Sequence, residues 1–197
     1  MHYAIDRTRL PEAATVRYVT DGQRSKFTVR AFATGPLSAF GHNPTIAIPD
    51  FEGEALVNPN APEESSLRFV IRAASLLVTD DISAKDRNEI NRRMHEDVLE
   101  SGACPEIVYE CSKASASKTG EGQYWVVLDG ELTLHRVTRS QPVSARVTLN
   151  GDSLRATGEF SVRQCEYEIR PVSAVGGTVK LKDELRLAFD ISARKQA

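Results

Sequence analysis

The sequence lacks most of the features that would assign it to a familiar functional class. Its 197 residues include only 3 cysteines, 2 methionines and 1 tryptophan, and the net charge is −2. A near-neutral chain offers no broad basic surface for nucleic acid or an anionic membrane. The longest wholly apolar stretch, Tyr124 to Leu128, is far shorter than a membrane span. No linker-like segment divides the chain, so we expect one domain over residues 1–197 with no nucleic-acid partner and no transmembrane segment.

Signals for export and for common catalytic chemistry are also missing. Residues 1–12 carry scattered charges where a secretory signal needs an apolar core, so a cytoplasmic location is expected. Three cysteines are an odd number without close metal-type pairing, which favours reduced, structural thiols. The chain has no nucleophile elbow, phosphate loop or dinucleotide fingerprint. We therefore expect a protein that is not an enzyme and that needs no cofactor.

The four histidines give no metal site from local spacing. His2, His42, His95 and His135 share neither a helical nor a strand spacing suited to metal ligation. His42 follows Phe40 in a turn-like segment that opens into an apolar strand, so its imidazole either points at a pocket mouth or is satisfied by local backbone groups. We expect His135 to be structural at a strand end and His95 to be solvated.

What the chain does contain is a recurring alternation of apolar and polar residues, which is typical of strands with one buried face. About eight such strands follow one another along the sequence. The clearest hairpin passes through the turn 150–152, which reads Asn-Gly-Asp. Residues 115–122 are polar and are predicted to be a hairpin loop. Many strands joined by short turns favour an antiparallel sandwich or barrel.

One segment departs from this alternation and predicts an amphipathic helix over about residues 84–101. Ser83 and Asp86 form an N-terminal capping box, and Glu89 and Arg93 are placed to pair one turn apart. The apolar stripe of this helix is narrow, so we expect it to lie against a sheet or across the mouth of a barrel.

A set of short segments occurs in a fixed order along nearly the whole chain. They are Gly130-Glu-Leu-Thr-Leu-His135 and Phe189-Asp-Ile191, together with residues 3–6, 25–29, 51–53, 85–90, 97–100, 105–107, 137–138, 142–143 and 179–184. Taken in order, these segments resemble the YceI-like proteins, an all-β family with an extended lipocalin-like barrel that binds polyisoprenoid lipids and related amphiphiles. Arg136 and Glu168 occupy positions where the family commonly has glycine.

The resemblance implies an antiparallel eight-stranded lipocalin-like barrel with the helix at its mouth. It also implies a ligand tail in the lumen, with the head group near that mouth. Strand parity and the helix stripe then predict which side chains contact the ligand, although the same side chains would also suit an ordinary core. These candidates are Phe27, Val29, Phe40, His42, Ile46, Ile48, Phe69, Ile71, Ile90, Met94 and Trp125.

Three functional hypotheses follow. The first is non-catalytic binding, transport or storage of a long apolar amphiphile, such as an isoprenoid quinone or polyprenyl lipid. The second is a barrel filled by its own side chains that acts through an edge strand or a homodimer face. The third, which has the least sequence support, is an enzyme that acts on the bound lipid with His42 as acid or base.

Overall fold

The computed structural model describes residues 15–34, 43–58, 61–171, 173–174 and 179–196. Short 3-10 turns cover Gly22–Arg24, Pro62–Glu64, Ala73–Ser75 and Gln164–Tyr167. The strands and the helix are β1 (Val16–Thr20), β2 (Lys26–Arg30), β3 (Ala33–Thr34), β4 (Thr45–Ala47), β5 (Phe51–Val57), β6 (Ser66–Arg72), β7 (Leu77–Val78), α1 (Ala84–Arg93, continued by a π-helical turn over Met94–Val98), β8 (Glu106–Gly120), β9 (Gln123–Leu134), β10 (Val137–Asn150), β11 (Ser153–Arg163), β12 (Ser173–Ala174), β13 (Val179–Leu181) and β14 (Glu184–Lys195).

Eight antiparallel strands close into a barrel. Their order is β1, β5, β6, β8, β9, β10, β11 and β14, and β14 pairs back onto β1. The long strand β14 serves two neighbours, because Ala193 lies opposite Thr20 of β1 while Phe189 lies opposite Phe27 of β2. Strands β4 and β7 extend the sheet beyond β2. The predicted all-β, eight-stranded barrel is confirmed.

The predicted helix is also confirmed, over 84–98 rather than 84–101. The Ser83 hydroxyl accepts a hydrogen bond from the Asp86 amide at 3.1 Å, which caps the first turn. Arg93 pairs with Glu89 at 2.6 Å, as the spacing predicted. No helix in the described part of the chain is both long and apolar enough to cross a membrane.

The antiparallel register gives the barrel two distinct ends. The helix end carries α1, the β9–β10 turn at residues 135–136 and the turn at 164–168. The hairpin end carries the β8–β9 turn at 121–122 and the predicted β10–β11 turn at 151–152, which the structure confirms. Most of the tightly packed core belongs to the helix half, including Ile71, Leu76, Met94, Leu99, Leu132, Leu134, Val162, Tyr167 and Ile169.

The prediction of a hairpin loop over 115–122 is wrong, because β8 runs on to Gly120. A register shift between Cys111 and Ala114 moves the inward positions from odd to even residue numbers. Beyond that shift, small residues such as Ala114 and Ala116 alternate with polar ones such as Ser115 and Ser117, which gives too little contrast in hydrophobicity between the two faces to reveal a strand.

Candidate functional site: the barrel lumen

The barrel encloses a cavity of about 690 Å³. This volume falls within the usual range for small-molecule pockets, roughly 300–1,000 Å³. Its walls are lined mainly by aliphatic and aromatic side chains from the barrel strands and from α1. The lumen is therefore open, and the idea of a barrel filled by its own side chains is wrong.

Most of the predicted lining residues do face this cavity. Phe40 and His42 lie outside the described residues, so their role stays a prediction. The structure places on the cavity wall Phe27, Val29, Ile46, Ile48, Phe69, Ile71, Ile90 and Met94.

The prediction for Trp125 is wrong. Its side chain is 45% exposed on the outside of β9, while the neighbours Tyr124 and Val126 face the lumen. The error has a clear cause, because residues 124–128 are all apolar and such a run carries no alternation to show which side chains point inward. Because side chains alternate between the two faces of a strand, an assignment displaced by one residue placed Trp125 inside the barrel instead of outside.

The sequence-based list missed the half of the lumen nearest the hairpin end. Inward side chains there are only partly buried, although they line the cavity. Period two along β8, β9, β10 and β11 identifies most of them once the correct parity is known. They are Ala116, Tyr124, Val126, Val147, Leu149 and Leu154.

Two glycines make room for phenylalanine rings that pack on the wall. A Cβ atom added at Gly53 would lie 2.5 Å from the Phe69 ring, and one at Gly158 would lie 2.6 Å from the Phe189 ring. Phe27 contacts both rings edge-on, with centroid distances of 5.9 Å to Phe69 and 6.2 Å to Phe189. The missing side chains are thus replaced by aromatic rings rather than by empty space.

The ionisable groups that border the cavity are arranged so that its middle stays uncharged. Burial raises the pKa of Tyr109, whose hydroxyl donates to the Gln141 carbonyl at 3.0 Å, so this side chain is a neutral phenol. Glu89, Arg93 and Lys180 border the cavity near the helix end. Hydrogen bonds from Arg92 and Arg93 lower the pKa of Glu89 to about 2. An apolar tail therefore fits the middle, and polar groups fit the rim.

Two other expectations are resolved by the structure. The expectation that His95 is solvated is wrong, because its Nε2 atom lies 2.9 Å from the Leu76 carbonyl oxygen and its Nδ1 atom is buried. The three cysteines are unpaired, as predicted, with Cys104 and Cys111 buried and Cys165 exposed. Burial is the main cause that raises the pKa of Cys111, which suits a structural thiol.

Comparison with known proteins gives one matching family profile, described as the YceI-like domain, over residues 18–193. No functionally curated protein matches the sequence at a significant level. Among solved structures, Burkholderia cenocepacia BcnA is similar, with a TM-score of 0.66 and 17% identity, over 88% of this chain and 98% of that one. A polyisoprenoid binding domain from Saccharophagus degradans implicated in plant cell wall breakdown has a TM-score of 0.63 and 11% identity, over 91% and 98%.

A third solved structure, the Campylobacter jejuni YCEI protein, has a TM-score of 0.56 and 13% identity, over 79% of this chain and 87% of that one. These structural similarities establish a shared fold. At identities this low, they do not identify the ligand of this chain.

Proposed function

This chain belongs to the YceI-like domain family, and on that premise we propose that it is a non-catalytic carrier that binds a long apolar amphiphile inside its barrel. The ligand class is an isoprenoid quinone or a polyprenyl lipid, held for transport or storage by a single binding domain. The observation that carries the proposal is the open apolar cavity of about 690 Å³.

The hydrophobic effect provides the affinity for such a ligand. Each methylene group transferred from water to an apolar site contributes about 0.8 kcal/mol, so ten carbons contribute roughly 8 kcal/mol before the cost of ordering the chain. Supporting this ligand class, one solved structure of the same fold is described as a polyisoprenoid binding domain. The head group is proposed to lie at the helix end, where Arg93, Gln164 and Lys180 border the cavity.

Extraction of the purified protein with organic solvent, followed by mass spectrometry, tests the proposal directly. We expect a long-chain lipid in about equimolar amount. A protein that carries no lipid, and that also fails to bind both N-phenylnaphthylamine and geranylgeraniol, would disprove it.

A matched pair of variants on β8 links binding to the lumen. Ala116 faces the cavity, whereas its neighbour Ser115 is exposed on the outer face. We expect Ala116→Phe to lower the affinity for N-phenylnaphthylamine at least about tenfold, which corresponds to about 1.4 kcal/mol of lost interaction. Ser115→Phe adds the same ring outside and should leave binding unchanged. Equal effects of the two variants would place the probe outside the barrel.

The edge-strand hypothesis has little support in the described residues. Strand β7 is the outer strand of the β2–β4–β7 extension, and its Val78 amide already donates to the Asn91 side chain of α1 at 3.0 Å.

A homodimer stays a prediction, which light scattering coupled to size exclusion will test. Catalysis through His42 is tested by comparing lipid turnover in the native protein and a His42→Ala variant. The cytoplasmic location likewise stays a prediction, to be checked by cell fractionation.

A further inference from the structure

Three potential metal ligands meet outside the lumen at the helix end. Glu100 and Cys104 belong to the segment that follows the π-helical turn, and His135 begins the turn between β9 and β10. One ligand atom from each residue lies within 4.8 Å of the other two. Sequence spacing did not predict this cluster, since two ligands come from one loop and the third from a distant hairpin.

The donor atoms are well placed to share one ion. The His135 Nε2 atom is buried, has no hydrogen-bond partner among the described residues and lies 3.6 Å from Glu100 Oε2. Tetrahedral zinc with bonds of about 2.0–2.3 Å separates its ligands by roughly 3.2–3.8 Å. The nitrogen–oxygen distance already fits, and the Cys104 sulfur needs a shift of about 1.3 Å at most.

Buried polar atoms normally form a hydrogen bond, and the His135 Nε2 atom has only the longer contact with the Glu100 carboxylate, so it needs an explanation. Cys104 beside it is buried, whereas the Glu100 side chain is 47% exposed and leaves a path from solvent. The Arg136 guanidinium lies 3.9 Å from Glu100 Oε2 on a side chain that is 62% exposed. A contact so long and so exposed is weak, and a divalent ion can displace it.

We propose that Glu100, Cys104 and His135 form a binding site for a zinc-class transition-metal ion, with a fourth position open to water. One thiolate, one imidazole and one carboxylate are a ligand set that zinc accepts, whereas magnesium and calcium prefer oxygen alone. Binding deprotonates the Cys104 thiol, the proton leaves to solvent, and two anionic ligands then balance the charge of the ion. The ion joins the segment after α1 to the β9–β10 hairpin and so fastens the mouth helix to the barrel rim.

Titration of the metal-free protein with Co²⁺ tests this site independently of any lipid. We expect one equivalent of Co²⁺ to produce the near-ultraviolet band of thiolate-to-cobalt charge transfer, and Zn²⁺ to abolish that band by competition. Zn²⁺ should also raise the melting temperature of the native protein, since an ion bound only by the folded state stabilises it.

Single-residue variants assign the ligands. Cys104→Ala should remove the charge-transfer band completely. Glu100→Gln alters an exposed side chain, so the fold is expected to survive. Its affinity for Zn²⁺ should fall at least about tenfold, because the loss of a residue that merely supports a metal ligand already costs about 10–100-fold. The matched control is Cys165→Ser, because the Cys165 thiol also contacts a carboxylate, that of Asp183 at 2.9 Å.

The control variant is expected to keep the band and the native affinity. A folded native protein that shows no charge-transfer band with Co²⁺ would overturn the proposal. A band that persists in Cys104→Ala, or that disappears in Cys165→Ser, would overturn it as well. None of these readouts depends on the lumen, so the site and the carrier function stand or fall separately.

Discussion

The two ends of the barrel are built on different principles. At the hairpin end, the described residues with positive φ are the glycines Gly122 and Gly151, with φ of 63° and 55°. At the helix end, the described residues with positive φ are Glu100, His135, Arg136 and Glu168, with φ between 45° and 65°. A side chain in this conformation costs about 1–2 kcal/mol, so the helix end carries backbone strain that the hairpin end avoids.

Packing follows the same division. All four leucines Leu132, Leu134, Leu149 and Leu154 border the cavity, but the first two are buried in the core cluster near the helix and the last two are only partly buried near the hairpins. The difference suggests a division of labour, in which the helix end supplies stability and the hairpin half supplies space for a ligand. Strain at the packed end is tolerated because the surrounding contacts over-determine its turns.

The largest expected effect is a difference in stability between leucine-to-alanine substitutions in the two halves of the barrel. Leu132→Ala removes a buried side chain from the packed half and should lower the free energy of unfolding by about 3 kcal/mol, within the usual range for a buried leucine. Leu149→Ala removes a side chain that is only partly buried, so we expect a loss of about 1 kcal/mol or less. Urea unfolding monitored by circular dichroism measures both.

Equal losses for the two leucine variants would contradict the division into a packed half and an open half. Adding geranylgeraniol sharpens the comparison further. A ligand that packs on Leu149 should make the Leu149→Ala loss larger in its presence than in its absence, because binding energy then adds to stability.

The turns provide a smaller and independent test. Glu168→Gly relieves a left-handed conformation at φ of 60° and should stabilise the protein by up to about 1 kcal/mol. Gly151→Ala introduces that conformational cost at the other end, in a place where an added Cβ atom meets nothing within 4 Å, and should destabilise by about 1 kcal/mol. Thermal and urea unfolding of both variants report the opposite signs.

Glu166→Gly is the control for the first of these variants. Glu166 lies in the same turn and is not among the positive-φ residues, so glycine there should destabilise through added freedom of the unfolded chain. If Glu168→Gly behaved like Glu166→Gly, strain at the helix end would be absent.

The sequence predicted the barrel because its strands bury one face, and a strand with one buried face alternates apolar and polar residues with period two. Phe27 and Val29 could be assigned to the lumen in this way, as could Phe69 and Ile71. Parity failed where the record was missing, as at Trp125 in its all-apolar run. In each case the outcome depended on the contrast between neighbouring residues rather than on the hydrophobicity of any one of them.

Features that join distant segments could not be predicted in the same way. The register shift near Cys111 depends on how β8 meets β9, and no local pattern encodes it. The Glu100–Cys104–His135 cluster requires the loop after α1 to meet a hairpin, which only the closed barrel specifies. The sequence did mark Arg136 and Glu168 as unusual for the family, and the structure finds both at positive φ. Departures from glycine were thus the one sequence signal of the strained end.

The smallest expected effect compares acid sensitivity at the helix with that on the barrel wall. Hydrogen bonds from Arg92 and Arg93 lower the pKa of Glu89 from 4.5 to about 2, and a single hydrogen bond from Arg17 lowers that of Glu54. Both carboxylates are more acidic in the folded state, so their contribution is present above the ordinary pKa and is lost as pH falls through the folded-state value.

Glu89→Gln and Glu54→Gln should therefore lower the melting temperature slightly at neutral pH, by less than either turn substitution, because all these groups are exposed and screened. The deficit of Glu54→Gln should vanish first as the solution is acidified, and that of Glu89→Gln should persist to about pH 2, where the native carboxylate is itself protonated. Melting curves recorded across this range check the order. The reverse order would mean that one arginine on the barrel wall lowers the pKa of its partner carboxylate further than two arginines on the helix do.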